Sequence, residues 1–575
     1  MTVEATLTNP RPWIAHYPPG LRWDIDVDVT PVHERVLSVC ARSPRAPALD
    51  FLGAVTRFGE LGRAIESFAA ALQARFGIVK GSRVALMLPN TPFYVVAYYG
   101  VLRAGGTVVN CNPLYTLPEL DHILGDSGAS VLVTLDLQQL FSKAEELCRT
   151  GKVERLVVCE FATALPALKG LAFRLLKRGD IADIRRSAVI RRIDWYADLL
   201  ATKAAPSPVA INPHADIAVQ QYTGGTTGTP KGAMLTHANI AAQVAQVDEW
   251  AGDVFRPPAR IVAVLPYFHI FSMTAAMNLP LCNGSMSVML PRFELKALVD
   301  LIHRTRATLL LAVPTLLNAL AKAEYARGKL GSVTLAISGG AGLPAEVREE
   351  FAAHFPATRL AEGYGLTEAS PVVCCSALTV DSKPNSIGQP IPATDIRFAD
   401  IDDPHRIVPP GERGELQVKG PQVMRGYFNN EEATEEVFVD GYLRTGDVGY
   451  MDEEGYVFLV DRIKDLIICS GFNVYPRVIE EALYLHEAVE EANVIGVPDA
   501  YRGEAPVAFV KLRPGASATP EALKTFLSGR INKLEMPREI ILKDQLPKTL
   551  IGKLSKKELR EEYAARGRTP DRPGK

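Results

Sequence analysis

A glycine- and threonine-rich stretch followed by a lysine has the composition of a phosphate-binding loop. Residues 221–232 read Q-Y-T-G-G-T-T-G-T-P-K-G. Small residues let backbone N–H groups approach an anion closely, and threonine hydroxyls can donate further hydrogen bonds to its oxygens. The residues expected to hold phosphate are Thr223, Gly224, Gly225, Thr226, Thr227, Gly228, Thr229 and Lys231.

The loop departs from the Walker A pattern at its lysine. That pattern is G-x-x-x-x-G-K-[ST], whereas here Pro230 precedes the lysine and Gly232 follows it. No hydroxyl residue therefore adjoins the lysine to hold Mg²⁺, which disfavours a P-loop hydrolase. On this motif alone, a glycine-rich surface turn without a ligand remains the alternative.

Six further motifs follow the loop along the chain. They are L-P-Y-F-H-I-F (265–271), S-G-G-A-G-L-P (338–344), E-G-Y-G-L-T-E (362–368), Y-L-R-T-G-D (442–447), D-R-I-K-D-L-I-I-C-S-G-F-N-V-Y-P (461–476) and L-P-K-T-L-I-G-K (546–553). With the loop, they closely resemble the adenylate-forming superfamily of acyl-CoA synthetases, luciferases and peptide-synthetase adenylation domains. The resemblance implies a carboxylic acid, ATP and coenzyme A as substrates, with Mg²⁺. It implies that an acyl-adenylate and pyrophosphate form first, and that coenzyme A then displaces AMP.

The resemblance assigns roles around the nucleotide, with the loop holding the phosphates that leave. Tyr364 would pack on adenine, Thr367 would reach the α-phosphate, and Glu368 would hold Mg²⁺. Asp447 would accept hydrogen bonds from the ribose hydroxyls, and Arg462 would donate to ribose or phosphate. Outside the motifs, Glu368 would be read as a helix-start residue and Asp447 as a turn aspartate. Other nucleotide contacts are implied for Gly340, Ala341, Glu362, Gly363 and Gly365.

Lys553 is the principal catalytic candidate. By the resemblance, its ammonium would meet the carboxylate and the α-phosphate while negative charge builds between them. The residues before Gly552, Leu550 and Ile551, replace the small or polar residues that are commoner in the family. We expect the nearby Lys556 and Lys557 to be ordinary solvated lysines.

The second half-reaction is implied to need a rotation of the C-terminal domain about Lys464. His269 would lie between the carboxylate site and the thiol tunnel, although a histidine beside phenylalanine is otherwise a common core residue. The residues implied in contacts with coenzyme A are Arg292, Ser470, Gly471 and Phe472.

Within the superfamily, motifs such as S-G-F-N-V-Y-P look most like bacterial long-chain fatty-acid–CoA ligases. We expect a long- or medium-chain fatty acid, with a dicarboxylic or aryl acid as the alternative. The expected acyl pocket consists of Phe271, Val313, Pro314, Thr315, Ser338 and Gly339. No carrier-domain sequence follows the last motif, which disfavours a peptide-synthetase module. A kinase or hydrolase and a non-catalytic nucleotide-binding protein are weaker alternatives from other classes.

Alternating strands and helices must position these motifs. Short apolar runs such as A-T-L-L-L-A-V-P and S-V-T-L-A-I-S-G-G end in proline or glycine, and amphipathic stretches separate such runs. The run F-Y-V-V-A-Y-Y-G-V-L-R-A-G-G-T-V-V-N has the same apolar character and is predicted to belong with them. Such runs predict buried parallel strands, beyond whose ends ligands collect.

The sequence pattern changes after Pro409. Short runs of alternating apolar and polar residues, such as G-E-R-G-E-L-Q-V-K-G, predict antiparallel strands there. We therefore expect an α/β protein with a large N-terminal domain of α/β layers and a small β-rich subdomain. A small, mobile α+β lid would follow. The expected division is 1–463 for the nucleotide- and acyl-binding domain and 464–575 for the lid.

Composition limits the remaining classes. A chain of 575 residues is expected to form two or more domains, and a net charge of -2 gives no indication of a nucleic-acid partner. The N-terminus lacks a signal-peptide pattern, which predicts a cytoplasmic protein. The 8 cysteines show no zinc-site spacing, so we expect reduced, mostly buried thiols. The sequence leaves the oligomeric state open, with a homodimer as one option.

One segment does not fit the enzyme motifs. Residues 169–192 hold 8 basic and 2 acidic side chains, interleaved with apolar residues. A basic amphipathic stretch can lie on an anionic membrane, which would give weak peripheral contact at the inner membrane surface. A solvated helix face is the plainer alternative.

Overall fold

The computed structural model describes residues 11–223, 230–381, 383–470, 472–549 and 553–566. Its strands are β1 (Pro47–Phe51), β2 (Ala54–Arg57), β3 (Arg83–Leu86), β4 (Thr107–Asn110), β5 (Val131–Leu135), β6 (Arg155–Cys159), β7 (Ile193–Trp195), β8 (Ile217–Thr223), β9 (Lys231–Thr236), β10 (Arg260–Ala263), β11 (Met286–Met289), β12 (Leu309–Ala312), β13 (Leu335–Gly339), β14 (Arg359–Gly365), β15 (Val372–Cys375), β16 (Gln389–Pro390), β17 (Asp395–Ala399), β18 (Gly414–Lys419), β19 (Gly426–Tyr427), β20 (Phe438–Val439), β21 (Tyr442–Met451), β22 (Val457–Arg462), β23 (Ile467–Cys469), β24 (Phe472–Val474), β25 (Val489–Asp499), β26 (Gly503–Leu512) and β27 (Glu539–Leu542).

Helices cover and connect these strands. They are α1 (Val32–Arg42), α2 (Phe58–Phe76), α3 (Pro92–Arg103), α4 (Leu117–Ser127), α5 (Gln138–Arg149), α6 (Ala167–Leu176), α7 (Tyr196–Leu200), α8 (His237–Ala251), α9 (Ile270–Ser272), α10 (Leu279–Cys282), α11 (Leu295–Thr305), α12 (Pro314–Lys322), α13 (Ala345–His354), α14 (Glu431–Val437), α15 (Pro476–Tyr484), α16 (Pro520–Ser528) and α17 (Lys556–Arg566). A π-helical segment, Met273–Asn278, connects α9 with α10.

Two large sheets form the body of the protein. In the described chain, one has nine strands in the order β16-β15-β14-β13-β12-β10-β11-β1-β2, and the other has eight in the order β19-β9-β8-β4-β3-β5-β6-β7. Their centres are parallel, as in β12–β13–β14 and β4–β3–β5. One continuous hydrophobic core joins both sheets. The predicted α/β layers are therefore confirmed.

One apolar run differs from the predicted strands, because most of it is a helix. Residues 92–103 form α3, and only the end of that run, Thr107–Asn110, is a strand. Residues 93–102 of α3 are all buried. A helix buried on every side has no polar face, so its sequence lacks the helical periodicity that separates it from a buried strand.

The predicted antiparallel region follows these layers. Strand β18 pairs with β17 and β21, and β21 pairs with β22, all antiparallel. Beyond it, β23–β27 form a five-stranded sheet covered by α15–α17. This C-terminal part has hydrophobic clusters of its own, formed by residues after position 466. The α/β fold class with a small β-rich C-terminal domain is confirmed, while the boundary at Lys464 stays a prediction.

All 8 cysteines are free and buried, as expected. Among the described helices, none combines the length and the apolar composition needed to cross a bilayer.

Candidate active site

The ends of two parallel strands bring two of the motifs side by side. In the register of β13 and β14, Ser338 lies opposite Glu362 and Gly339 lies opposite Gly363. The loop after β13 then exposes Gly340 and Ala341. Ligands of open α/β sheets bind beyond the carboxyl ends of strands, and this pair of ends has that position.

The glycine- and threonine-rich stretch is carried by a hairpin. Strands β8 and β9 are antiparallel, and Thr223 and Lys231 lie opposite each other at the end of the pairing. Gly224, Gly225, Thr226, Thr227, Gly228 and Thr229 lie outside the described residues. The two strands therefore hold both ends of the stretch at a fixed separation.

Tyr427 connects this hairpin with Glu368. The Lys231 ammonium lies 5.3 Å from the centre of the Tyr427 ring, and the Tyr427 hydroxyl donates a 2.8 Å hydrogen bond to Glu368 Oε1. Strand β19, which contains Tyr427, pairs with β9. Thr367 begins the short 3₁₀ turn that contains Glu368. The lysine and the carboxylate are thus held near one another.

Asp447 is engaged by two protein groups. Tyr364 donates to Asp447 Oδ2 at 2.6 Å, and Arg462 Nε donates to Asp447 Oδ1 at 2.6 Å. Asp447 and Arg462 are opposite each other in the β21–β22 pairing. Burial, together with the adjacent carboxylate, raises the pKa of Tyr364 well above its usual value. Tyr364 therefore stays a hydrogen-bond donor to Asp447 at neutral pH.

A cavity of about 620 Å³ connects these residues, and both Glu368 and Arg462 line it. Its wall also contains Tyr427, Thr445 and Gly446. Glu415, Glu436 and Arg444 line it as well, so the cavity presents both carboxylates and guanidinium groups. Such a lining suits a ligand with both hydroxyl and phosphate groups.

Lys553 reaches the site from the C-terminal domain. A Cβ added to Gly340 would lie 3.1 Å from Lys553 Cε and 3.8 Å from its Nζ, so the lysine side chain passes directly over this glycine. Burial lowers the pKa of Lys553 to about 8, and the nearby charge of Arg462 contributes. Gly340 has φ +85, a left-handed conformation that favours glycine.

His269 lies close enough to Lys553 for their charges to interact. Burial lowers the pKa of His269 to about 4, and the positive charge of Lys553 adds to this effect. His269 Nδ1 also accepts a 3.4 Å hydrogen bond from the Phe271 N–H at the start of α9. The imidazole is therefore neutral at physiological pH.

The expected acyl-pocket residues surround the same strand ends. The Phe271 ring lies against Gly339, where an added Cβ would approach it to 3.0 Å, and Val313 adjoins Gly340. Pro314 and Thr315 begin α12 directly after Val313. The π-helical segment that follows Phe271 is buried, and such segments are frequent at functional sites.

The expected coenzyme A residues are not gathered at these strand ends. Arg292 is exposed on the loop between β11 and α11. Ser470 and Phe472 are exposed at the β23–β24 turn, where Ser470 N–H donates to the Arg502 carbonyl oxygen. Gly471 lies outside the described residues. Lys464 is exposed in the 3₁₀ turn Ile463–Asp465 that precedes the lid sheet.

Glu362 has a structural partner in this arrangement. Its buried carboxylate pairs with Arg348 and accepts from the Leu343 N–H at 3.4 Å, and burial raises the pKa of Glu362. These bonds fix the turn after β13.

At Gly365 an added Cβ would collide with the Pro371 carbonyl group, so only glycine fits there.

Sequence reasoning missed several residues of the site. Arg348 supports Glu362, Tyr427 supports Glu368, and Arg477 of the lid lies against Gly342, where an added Cβ would be 2.7 Å from its guanidinium carbon. Arg477 and Tyr427 lie in or beside motifs, at P-R-V and G-Y-F. Their contacts depend on strand pairing and lid position, and no local pattern signals them.

The expectation that Lys556 is an ordinary solvated lysine is wrong. Its ammonium lies 3.2 Å from Glu480 Oε1, and both side chains are largely buried. Burial opposes the charge, but Glu480 and the carboxylates of Asp461 and Asp465 outweigh it and raise the pKa of Lys556. A single sequence cannot distinguish a lysine with a distant partner from a free one.

Comparison with known proteins agrees with this geometry. The family described as AMP-binding enzyme matches residues 37–428, and the AMP-binding enzyme C-terminal domain matches residues 478–553. A long-chain-fatty-acid–CoA ligase of Bacillus subtilis is 40% identical over 558 residues, covering 97% of this chain and 99% of the relative. A 4-coumarate–CoA ligase of rice (Oryza sativa) is 32% identical and covers 93% of each chain.

A solved structure has the same fold. ATP-bound MatB from Rhodopseudomonas palustris superposes with a TM-score of 0.77 at 29% identity, covering 92% of this chain and 98% of that chain. The likeness extends over both the body and the C-terminal domain.

Proposed function

The chain belongs to the AMP-binding enzyme family, and on that premise we propose that it is an ATP-dependent, AMP-forming ligase of long- or medium-chain fatty acids and coenzyme A. The observation that carries the proposal is Lys553, which lies over Gly340 at the strand ends. A cation at this point suits the reaction of two anions, a carboxylate and a nucleotide phosphate. The identity to fatty-acid ligases, up to 40%, supports the choice of acid.

In the proposed first step, a carboxylate oxygen of the acid attacks the α-phosphorus of ATP. The new O–P bond forms as the bond to the β-phosphate oxygen breaks, and pyrophosphate leaves. We assign Lys553 to the charge that develops between the two anions, because preorganised cations stabilise such charge without reorganisation. Thr223 and Lys231, at the ends of the hairpin, are assigned to the leaving phosphates.

We assign the rest of the nucleotide to the cavity beside Asp447. Ribose hydroxyls would compete with Tyr364 for Asp447 Oδ2, which accepts a 2.6 Å bond in this structure. Tyr364 would then be free to turn its ring toward adenine. Arg462 Nε donates to the other carboxylate oxygen of Asp447 and holds the side chain in place.

Mg²⁺ fits this site only together with the nucleotide. The described residues include no cluster of three or more metal-ligating side chains. Glu368 has one oxygen bound to Tyr427 and borders the cavity. One carboxylate plus phosphate oxygens and water is a usual environment for Mg²⁺. We propose that Glu368 holds the ion, which would screen the phosphate charge.

In the proposed second step, the sulfur of coenzyme A attacks the acyl carbon, its thiol proton is lost and AMP leaves. In the proposed adenylation arrangement, Lys553 would lie beside the acyl carbon and would first have to withdraw. We propose rotation about Lys464, with Ser470 and Phe472 brought to the site. Arg462 bonds to Asp447 of the body, whereas Asp465 bonds to Arg560 of the lid at 2.8 Å. This change of partners between positions 462 and 465 supports a hinge there.

An acid panel tests the function. Purified protein would be incubated with ATP, Mg²⁺, coenzyme A and saturated fatty acids of increasing length, and AMP and thioester would be quantified. We expect equal amounts of both products, with the highest kcat/KM for long or medium chains. Formation of ADP would instead indicate a kinase or hydrolase, and absence of coenzyme A-dependent AMP would refute the proposal.

An aryl acid is the second candidate substrate, because the rice relative named for 4-coumarate is 32% identical. Cinnamic and dicarboxylic acids therefore belong in the panel. A higher kcat/KM for one of them would keep the ligase chemistry and replace the substrate.

Since ATP and coenzyme A are both required, we propose that the enzyme acts in the cytoplasm.

A further inference from the structure

Helix α6 exposes its leucines instead of burying them. Leu168, Leu175 and Leu176 are 83%, 71% and 81% exposed, and Leu171 is 58% exposed. Leu168, Leu171 and Leu175 follow a spacing of three and four residues, so they share one face of the helix. A surface helix of a globular protein normally turns such a stripe toward the core.

The opposite side of α6 fixes the helix in this orientation. Gly170 is its buried residue, and a Cβ added there would collide with the Ala162 carbonyl oxygen. The Phe173 ring packs on Phe161 with ring centroids 5.0 Å apart. The leucines cannot rotate inward without losing both contacts, so their exposure is a consequence of the packing.

Basic side chains accompany the leucine face along the chain. Residues 169–192 carry 8 basic and 2 acidic side chains, in a chain whose net charge is only -2. Both acids are paired locally, Asp180 with Lys177 at 3.9 Å and Asp183 with Arg186 at 3.2 Å. In the described parts of the chain, Arg178, Arg185 and Arg191 are exposed and form no ion pair. The surface combines apolar side chains with unpaired cations.

The combination of exposed leucines and unpaired arginines distinguishes between two possible partners of this surface, a second copy of the chain and a lipid bilayer. A symmetric contact between two copies would bring the same patch together on both, and so oppose two sets of like charges. An anionic bilayer meets both requirements, because leucines enter the acyl boundary while arginines contact headgroup phosphates. We propose that α6 and the basic segment 177–192 form a docking surface for anionic lipid bilayers.

The location of the surface is compatible with the enzyme's reaction. Lys169 Nζ donates a 2.9 Å hydrogen bond to the Leu52 carbonyl oxygen in the turn between β1 and β2. Those strands end the nine-stranded sheet on the side away from β14, which carries the nucleotide residues. A docked protein therefore keeps the nucleotide site and the C-terminal domain away from the lipid.

Vesicle co-sedimentation of the full-length protein tests the proposal. Wild-type protein should bind vesicles of phosphatidylcholine mixed with phosphatidylglycerol. It should bind much more weakly to vesicles of phosphatidylcholine alone, and to the mixed vesicles at high salt. Leu168→Gln combined with Leu175→Gln should lower the partition coefficient at least about tenfold, since each leucine loses its transfer into the bilayer. Arg178→Gln, Arg185→Gln and Arg191→Gln together should abolish the preference for anionic vesicles.

The matched control changes two apolar side chains that are similarly exposed elsewhere, Val79 and Leu485, at 64% and 61%. Val79→Gln with Leu485→Gln should bind vesicles like the wild type. Thermal melting and ligase activity on a water-soluble acid without vesicles verify folding and separate this proposal from the proposed function. Unchanged binding of the leucine variant would overturn the proposal. A fall in sedimentation mass of that variant, with lipid binding unchanged, would assign the face to self-association instead.

Discussion

At the residue scale, we propose that Lys553 serves only one half of the reaction. Lys553→Ala should lower the rate of acyl-adenylate formation by about 100-fold or more, the loss typical of a preorganised electrostatic group. Thioester formation from synthetic acyl-adenylate should change only a few-fold, because the lysine has left the site by then. Pyrophosphate exchange and thioester release measure the two steps separately. Equal losses in both would contradict the assignment.

The lowered pKa of Lys553 predicts an alkaline limit. Its ammonium is present below about pH 8 and is lost as the pH rises through that value. The kcat/KM of adenylation, which reports the free enzyme, should therefore fall above about pH 8. Lys553→Arg keeps a charge at all accessible pH values. If Lys553→Arg retains activity, its pH profile of kcat/KM should not fall above about pH 8. The same fall in both proteins would assign the titration to another group.

The types of the site residues could be predicted from the sequence, but their contacts could not. Glu368 and Asp447 stand in motifs that identify carboxylates near a nucleotide. That Tyr427 and Tyr364 bond to them depends on the pairing of β19 with β9 and on the approach of β14 to β21. Such long-range contacts leave no trace in local spacing.

At the element scale, strand ends and the lid interface determine whether the motifs meet. Parallel strands ending in proline or glycine were predictable, because their apolar runs are short and bounded. Helix α3 was not, because it is buried on all sides. The contact between α13 and the lid was also invisible in the sequence, since it joins Glu350 with Arg513 across 163 positions.

The ion pair between Glu350 and Arg513 is expected to affect the rate of adenylation. Arg513 donates to Glu350 at 2.8 Å, and Lys322 lies 3.4 Å from Glu490, in the arrangement that places Lys553 in the site. Arg513→Glu should slow adenylation two- to fivefold, because a part-exposed ion pair contributes up to about 1 kcal/mol. Thioester formation from acyl-adenylate should be unaffected or faster.

A charge swap separates the ion pair from other effects of the substitution. Glu350→Arg combined with Arg513→Glu should restore most of the adenylation rate, as a double-mutant cycle reveals. Arg256→Glu breaks a pair of similar length with Asp248 within the body and serves as the control. Failure of the swap to recover activity, or an equal loss in the control, would show that the interface pair does not hold the lid.

At the scale of the whole molecule, Lys553 and the β23–β24 turn do not lie at the strand ends of the body at the same time. Lys553 lies over Gly340, while Phe472 is 63% exposed on a separate edge of the lid sheet. We therefore propose that this arrangement serves adenylation and that a different one serves thioester formation. The sequence motifs predicted a reaction that uses two domains, whereas the contact of Lys553 with Gly340 could not be predicted from them.

We propose that the lid rotates at the turn Ile463–Asp465, since Arg462 is bonded to the body and Asp465 to the lid. Lys464→Pro would fix φ near −65°, a value compatible with the present 3₁₀ turn, and so restrict rotation. Adenylation should stay near the wild-type rate, while thioester formation should fall about 100-fold, as expected when a required conformational step is blocked. Lys464→Ala removes the same side chain without fixing the backbone and should retain both steps. If Lys464→Ala loses as much thioester formation as Lys464→Pro, the side chain is responsible and the hinge must lie elsewhere.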